Sequence, residues 1–312
     1  MKTETKTNAP QILYGIDLGG TKIEGIVLEK TSTDFKVIER LRIPTEQQKG
    51  YHHILQQIET LARELEQKCG VAITSLGIGT PGTLDPKTET LKNSNTVCLN
   101  GKPIRYDLEK RLGLPIKIAN DANCFALAEA TLGSVPETVP GAEVVFGVIM
   151  GTGVGGGVVV HGKSLQGKHG IGGEWGHNFL DASGGDCYCG RQGCVETIIS
   201  GTALERFYEQ KSGNRKTLKA IMELYRTEND PNAKATVARL LDYFGKGIAS
   251  IINILDPQAI VLGGGVGNID LLYTEGVASV RRHIFNDTLE TEFLKPKLGD
   301  SAGVFGAAML TA

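Results

Sequence analysis

No stretch of the 312 residues reaches the roughly 18 to 20 uninterrupted apolar positions that a membrane-spanning helix requires. The first residues, Met1 to Gln11, are polar and carry no apolar core of the secretory type. Both absences predict a soluble, cytoplasmic protein with no membrane partner. An excess of either charge is also missing: 33 Lys and Arg stand against 35 Asp and Glu, a formal charge of -2. Such a balance offers no overall field for a polyanion, so nucleic acid is not an expected partner. No low-complexity tract or collagen period absorbs the 41 glycines, which must therefore sit in turns and close backbone contacts. Nor are the six cysteines spread as in a disulfide framework, because Cys187, Cys189 and Cys194 fall within eight residues.

The length corresponds to about two domains at roughly 150 residues each, enough for a large buried core. Along the chain, Ile12 to Leu18 predicts a strand that breaks at Gly19-Gly20-Thr21-Lys22 and resumes over Ile23 to Leu28. Ile54, Leu55, Ile58, Leu61, Ala62 and Leu65 keep a helical period, and Val71 to Ile78 reads as another strand. A helix near Ile104 to Leu112 leads to a strand over Ile116 to Ala119, and Asn120-Asp121-Ala122-Asn123 opens a further helix. Gly133 to Gly141 is the best linker candidate; Val144 to Met150 is a strand, Gly151 to Gly157 a glycine turn, and Val158 to Val160 its continuation. Little periodicity appears from Gly162 to Glu196. Helices follow over about 201–210, 218–225 and 233–255, the last interrupted by glycines, then a strand over Ala259 to Leu262, a helix near Leu271 to Val280 and a closing helix after Gly303.

Gly15 to Leu28 lies parallel to Gly147 to Val160, with glycines matching at the first, fifth and eleventh places. Two such units suggest two similar lobes, each presenting a backbone loop, although glycine-rich hairpins can coincide by chance. With the linker, this divides the chain into an N-terminal α/β lobe over 1–132, completed by the C-terminal helix 300–312, and a larger α/β lobe over 133–299.

Two phosphate-binding patterns match only in letters. Gly157 to Ser164 satisfies the P-loop spacing and Gly151 to Gly156 the dinucleotide spacing, but apolar β-branched residues continue where each needs a helix. What survives is the chemistry of the turns, whose amides approach an anion unobstructed. Asp17 ends the first strand, Gly19 and Gly20 form the turn, and Thr21 and Lys22 add a hydroxyl and a mobile charge, a set suited to magnesium-bound phosphates. The alternative is a plain hairpin with Asp17 accepting turn hydrogen bonds.

His177, Cys187, Cys189 and Cys194 offer one imidazole and three thiolates, a tetrahedral shell for structural zinc that would order the segment 177–194. Unligated structural cysteines beside a surface histidine are the alternative. Glu174, His177, Glu196, Asn120 and Asp121 suit a polyhydroxylated ligand, each hydroxyl donating to a carboxylate. Asp121 alternatively caps its helix, and Glu174 and Glu196 are alternatively solvated charges.

Together, Asp17-Leu-Gly-Gly-Thr-Lys22, Asn120-Asp-Ala-Asn123, Gly151-Thr-Gly153, Gly173-Glu-Trp-Gly-His177, Cys187-Tyr-Cys-Gly-Arg-Gln-Gly-Cys-Val-Glu196 and Leu262-Gly-Gly-Gly265 resemble the ROK family of bacterial sugar kinases and repressors over nearly the whole chain after Ala9. The resemblance implies a two-lobed actin-like (ribonuclease H-like) ATPase fold closing over ATP and a hexose, and a homodimer. It implies Asp121 as catalytic base, with Asn120, Glu174, His177, Glu196 and Asn95 as sugar ligands. His177 would place one ring nitrogen on zinc and the other on a sugar hydroxyl. Asp17, Thr21, Lys22, Thr152 and Gly153 would surround the phosphates, and Gly264 and Gly265 would line the base region.

Repressors of the family resemble kinases with an added N-terminal DNA-binding domain; with the first phosphate-type motif already reached at Asp17, no such domain is expected. Leu91 to Gly101, Gly173 to Leu180, Asn253 to Pro257 and Gly299 to Gly303 most resemble bacterial fructokinases that also accept mannose. The expected activity is transfer of the γ-phosphoryl group of ATP to the primary hydroxyl of fructose, with N-acetylglucosamine or glucose as alternative substrates. A sugar-binding sensor without turnover is the non-enzymatic alternative.

Overall fold

The computed structural model describes residues 10–31, 34–227 and 229–312, so most of the polar start, residues 1–9, lies outside the described residues. The chain divides into two compact units. One takes in the described residues up to Ala128 with Gln166–Gly172 and Asp300–Ala312; the other comprises Glu129–Leu165 and Gly173–Gly299.

In the first unit the apolar runs become strands β1 (Gln11–Leu18), β2 (Lys22–Lys30), β3 (Phe35–Pro44), β4 (Leu76–Thr80), β5 (Thr83–Leu84), β6 (Leu91–Lys92) and β7 (Ile116–Asn120). β5 and β6 form a separate ribbon, and the other five form a sheet in the order β3-β2-β1-β4-β7, antiparallel up to β1 and parallel beyond it. The helix Tyr51–Cys69 buries Tyr51, Ile54, Leu55, Ile58, Leu61, Ala62 and Leu65 along one stripe and stops at Gly70, whose left-handed φ of 70° suits a residue without a side chain. Its apolar face shares a core with Ile16, Leu18, Ile23 and Val27.

One expectation changes here, and one strand, β3, was not expected. Residues 71–75 are not strand, because Ile73 N–H donates to Glu66 Oε1 at 2.9 Å and ties this stretch to the preceding helix. β3 carries no apolar run, since none of its residues is fully buried; it is a charged edge strand, composition that discourages pairing with another chain.

The second unit repeats the pairing pattern. Its strands β8 (Val144–Met150), β9 (Val154–Val160), β10 (Lys163–Ser164), β11 (Ala259–Gly263) and β12 (Glu292–Leu294) run in the order β10-β9-β8-β11-β12, again antiparallel up to β8 and parallel beyond it. The matched hairpins thus occupy the same place in both sheets. Gly155 to Gly157 lie inside β9 rather than in a turn, because Gly173 packs directly on them: a Cβ on Gly156 would meet Gly173 O at 2.7 Å. The proposed linker contains the helix Ser134–Thr138, started by Glu129 Oε2 accepting from Ser134 N–H at 3.0 Å. The helix Pro231–Leu255 runs through its glycines without a break, and Gly247 accepts Trp175 Nε1–H at 3.2 Å. Among the described residues, no helix is long and apolar enough to cross a membrane.

The closing helix, Ala302–Met309, belongs to the first unit and lies backbone against backbone on β1 and β4. A Cβ on Gly77 would stand 1.8 Å from Ala307 O, and one on Gly15 would stand 2.4 Å from Ala308 N. Neither partner is a side chain that can rotate away. Gly77→Ala is therefore expected to cost at least about 2 kcal/mol, from overpacking against rigid backbone. A urea midpoint equal to that of the parent would show that the helix does not depend on this contact.

Candidate active site and metal cluster

In the first unit β1 delivers Asp17 to the sheet end where Gly19 to Thr21 turn back into β2. Gly19 N–H donates to Lys22 O at 3.0 Å and closes the turn, so this amide is committed internally. Buried Thr45 fastens the turn from outside: its hydroxyl donates to Gly19 O at 2.6 Å and its N–H to Thr21 O at 3.0 Å. Thr21 and Lys22 are exposed. The Asp17 carboxylate lies where Cβ atoms on Gly79 and Gly303 would be, 3.2 and 2.9 Å from them, beside the buried Cys124. Burial, then the carboxylates of Asp121 and Glu24, push its pKa up to about 7 against the opposing pull of Lys22. Glu24 is itself buried and paired with Arg40 and Arg42.

β7 ends at Asn120 and the helix Asp121–Thr131 begins at the next residue. Asn120 Oδ1 accepts Asn123 N–H at 2.8 Å, so Asn120 supplies the cap expected alternatively of Asp121. Asp121 Oδ1 accepts the neighbouring Ala122 N–H at 2.8 Å. Surrounding protein raises the Asp121 pKa above the ordinary carboxylate range, while the amides of Ala122 and Asp121 itself pull it down. Asn95 is exposed in a loop held by paired hydrogen bonds between Ser94 and the Asn100 side chain, both 2.9 Å. The first unit thus carries Asp17, Gly19, Gly20, Thr21, Lys22, Asn95, Asn120 and Asp121.

The remaining candidates belong to the second unit. Gly151 N–H donates to Gly153 O at 2.9 Å and makes the second glycine turn, with Thr152 exposed at its tip. Glu196 Oε2 accepts Val154 N–H at 2.9 Å, and a Cβ on Gly153 would stand 2.5 Å from that oxygen. One oxygen of Glu196 is therefore committed to shaping this turn. Gly264 and Gly265 open the short helix Gly264–Gly267; Gly264 has φ 79°, and a Cβ there would meet Met150 O at 2.3 Å. Glu174 and His177 flank the buried Trp175, which rests on Gly247.

His177, Cys187, Cys189 and Cys194 come together, with one ligand atom of each within 4.8 Å of the others. Cys189 Sγ lies 3.6 Å from Cys194 Sγ, and Cys187 Sγ 3.5 Å from His177 Nδ1. Burial pushes the Cys194 thiol up to about 12 and raises Cys187 as well, whereas hydrogen bonds from Arg191 N–H and the neighbouring thiols outweigh burial at Cys189 and lower it. The surrounding segment has only short 3-10 turns and two isolated bridges, Phe179 to Cys194 and Asp186 to Gln192.

Tyr188 was not singled out from the sequence. Its hydroxyl is 2.9 Å from His177 Nε2 and its ring stands edge-on to the imidazole at 5.1 Å, although the residue is 81% exposed. The ring nitrogen expected to serve a sugar hydroxyl thus holds Tyr188. The hint available beforehand was its position between two of the clustered cysteines.

The model of the ROK family matches residues 13–312. N-acetyl-D-glucosamine kinase of Vibrio cholerae is 36% identical over 311 residues, covering 95% of this chain and 98% of that protein. The crystal structure of a ROK hexokinase from Thermus thermophilus has a TM-score of 0.86 at 34% identity, covering 97% of this chain and 98% of that one. A ROK family glucokinase from Streptomyces griseus, in complex with glucose and AMPPNP, has a TM-score of 0.74 at 28% identity, covering 96% and 99%. The architecture is accordingly the two-lobed actin-like α/β fold with two mixed sheets. The expected closeness to fructokinases is corrected by the curated relatives, which are named N-acetyl-D-glucosamine kinases. The stretches behind that expectation build turns, helices and the metal cluster, whereas a few side chains around a ring substituent decide which sugar fits.

The raised pKa of Asp17 has a consequence for stability. Between about pH 4, where the unfolded carboxyl ionises, and about pH 7, where the folded one does, the folded chain holds the extra proton, so stability falls as pH rises. Asp17→Asn removes that slope. Its melting temperature without ligands is expected to gain on the parent progressively from pH 5 to pH 8, and a constant difference across that range would exclude a raised Asp17 pKa.

Proposed function

We propose that this chain, which belongs to the ROK family, is an ATP-dependent kinase that transfers the γ-phosphoryl group to the primary hydroxyl of N-acetyl-D-glucosamine. The observation that carries the proposal is the pairing of Asp121, released from capping by Asn120, with a partly buried Asp17 beside a glycine turn. The N-acetyl-D-glucosamine kinases matching nearly end to end at 35 to 36% identity support the choice of sugar.

Asp121 accepts the proton of the attacking hydroxyl and orients its oxygen. A pKa raised by its surroundings makes it a better base than an ordinary carboxylate at neutral pH. Asn120 keeps its Nδ2 for a sugar oxygen, since only Oδ1 serves the cap. Asn95, Glu174, His177 and Glu196 bind further sugar groups, and a hydroxyl reaches His177 Nε2 by taking the place of Tyr188. Lys22, Thr21 and the Gly20 amide bear the phosphates, Gly19 shapes that turn, and Thr152 and Gly153 form the second phosphate contact. Gly264 and Gly265 leave room for the nucleotide base.

Asp17 fits a magnesium ion, because a partly buried carboxyl beside the Asp121 carboxylate is relieved by a cation. Magnesium, when bound, offsets the charge of the transferring phosphoryl group. The cysteine cluster fits zinc. Zn–S bonds of about 2.3 Å and Zn–N of about 2.0 Å in a tetrahedron imply S···S near about 3.8 Å and S···N near about 3.5 Å. The 3.6 and 3.5 Å separations come close to both. Zinc there supplies folding energy to a segment with little regular structure.

A coupled ADP-release assay across N-acetylglucosamine, glucose, mannose, fructose and N-acetylmannosamine tests the activity. N-acetylglucosamine is expected to give the highest kcat/KM, and a higher value for another sugar would replace it. Asp121→Asn is expected to lower kcat at least about 100-fold with smaller change in sugar binding; near-normal turnover in a folded variant would remove Asp121 as base. Cys189→Ser should lower both bound zinc and melting temperature, so unchanged zinc stoichiometry would remove the coordination assignment.

A further inference from the structure

The second unit holds a cavity of about 320 Å³ that none of the catalytic roles uses. The helix Gly201–Ser212 lines it with Arg206, Phe207 and Gln210, the helix Pro231–Leu255 with Arg239, and the backbone of Gly184 and Gly185 closes another side. Both arginines are held in place before any ligand arrives. The Arg239 guanidinium carbon stands 4.8 Å from the ring centres of both Phe207 and Tyr243, and Nη2 donates to Ser183 Oγ at 3.0 Å. Arg206 Nη2 donates to Gly184 O at 3.2 Å and to Thr197 O at 2.8 Å.

All these hydrogen bonds go to neutral oxygens, and among the described residues neither guanidinium forms an ion pair. Asp186, which also lines the cavity, accepts Gln192 Nε2–H at 2.7 Å. Asp181 accepts Ser183 N–H at 2.9 Å, and among the groups that hold its carboxyl low Ser183 and Tyr243 come before Arg239. Two oriented, unpaired guanidiniums at one cavity match an anion with several acceptor oxygens, and aromatic stacking lowers the entropy lost when the fork engages it.

We propose that this cavity binds a phosphorylated sugar, its phosphate on Arg206 and Arg239 and its hydroxyls toward Gln210 and Thr197. The volume falls at the lower end of the roughly 300 to 1,000 Å³ range of small-molecule sites, which exceeds the needs of a bare phosphate. Equating the ligand with the product class rests on the kinase assignment; the anion site does not. Binding there bears on activity through Arg206, which clamps the chain at Gly184 and Thr197. Between those two points lie Cys187, Cys189, Cys194 and Glu196. A ligand drawing on Arg206 alters how that stretch is held and inhibits turnover without competing with the sugar.

The test is calorimetric titration of the zinc-loaded protein, with N-acetylglucosamine saturating and no ATP, using N-acetylglucosamine 6-phosphate and inorganic phosphate as separate probes. Arg239→Gln removes the charge, and Gln210→Glu opposes it without touching the Arg239 stack. Saturable binding of the sugar phosphate is expected in the parent, at least about tenfold weaker in both variants, whose kcat and KM without added product stay at parent values. The same variants should lose the non-competitive part of product inhibition. Equal affinity in parent and variants, or no binding in the parent, would overturn the site; phosphate binding as tightly as the sugar phosphate would overturn the choice of ligand. Since no turnover is needed, a failed kinase assay leaves this outcome readable, and the reverse holds equally.

Discussion

Direct backbone contact between the closing helix and two parallel strands governs the first unit. Gly15 and Gly77 are register partners on β1 and β4, and the helix Ala302–Met309 rests on both with no side chain intervening. Gly306 meets Cys124 O in the same way on another side of that helix. This approach brings Gly303 beside Asp17 and shields the carboxylate in part from solvent. Desolvation then raises its pKa, and a group with such a value favours a neutralising cation. Electrostatics at the glycine turn therefore derive from packing at the far end of the chain.

The second unit has the same strand order, and there a loop packs on β9. Gly173 to His177 lies on β9, Trp175 anchors it on Gly247, and Glu196 returns to bind the first amide of β9. This irregular stretch has few ladder hydrogen bonds and draws its order from those anchors and from the four clustered ligand groups. A carboxylate that shapes a glycine turn and an imidazole bound to both a cysteine cluster and a tyrosine make the geometry of one group depend on the others. Such coupling allows a ligand at one edge of the stretch to be felt along it.

Where the fold was readable in advance, one face of each element was continuously apolar. The helix Tyr51–Cys69 is an example, because burial on one side leaves a period in the residues, whereas β8, buried on both faces, leaves a continuous apolar run. β3 escaped notice because an edge strand exposes most of its side chains and needs no such period. The glycines of β9 suggested a turn and those of Pro231–Leu255 a break, since local propensity counts against them in regular structure. In both cases the absence of a side chain serves a neighbour remote in sequence: Gly173 to His177 for the first, and Trp175 for the second.

The candidate metal cluster was evident from the chain because it rests on residue type and short spacing, and the first glycine turn because paired glycines interrupt an apolar run there. Sequence by itself also determined the family, through motifs distributed over nearly the full length. Only the tertiary structure decided that Asn120 rather than Asp121 caps the helix, that Glu196 commits an oxygen to Val154, and that Tyr188 occupies His177 Nε2. The physical reason is common to all three. Residue type specifies which hydrogen bonds a side chain can make, whereas the bond it does make depends on which partners folding brings within about 3 Å.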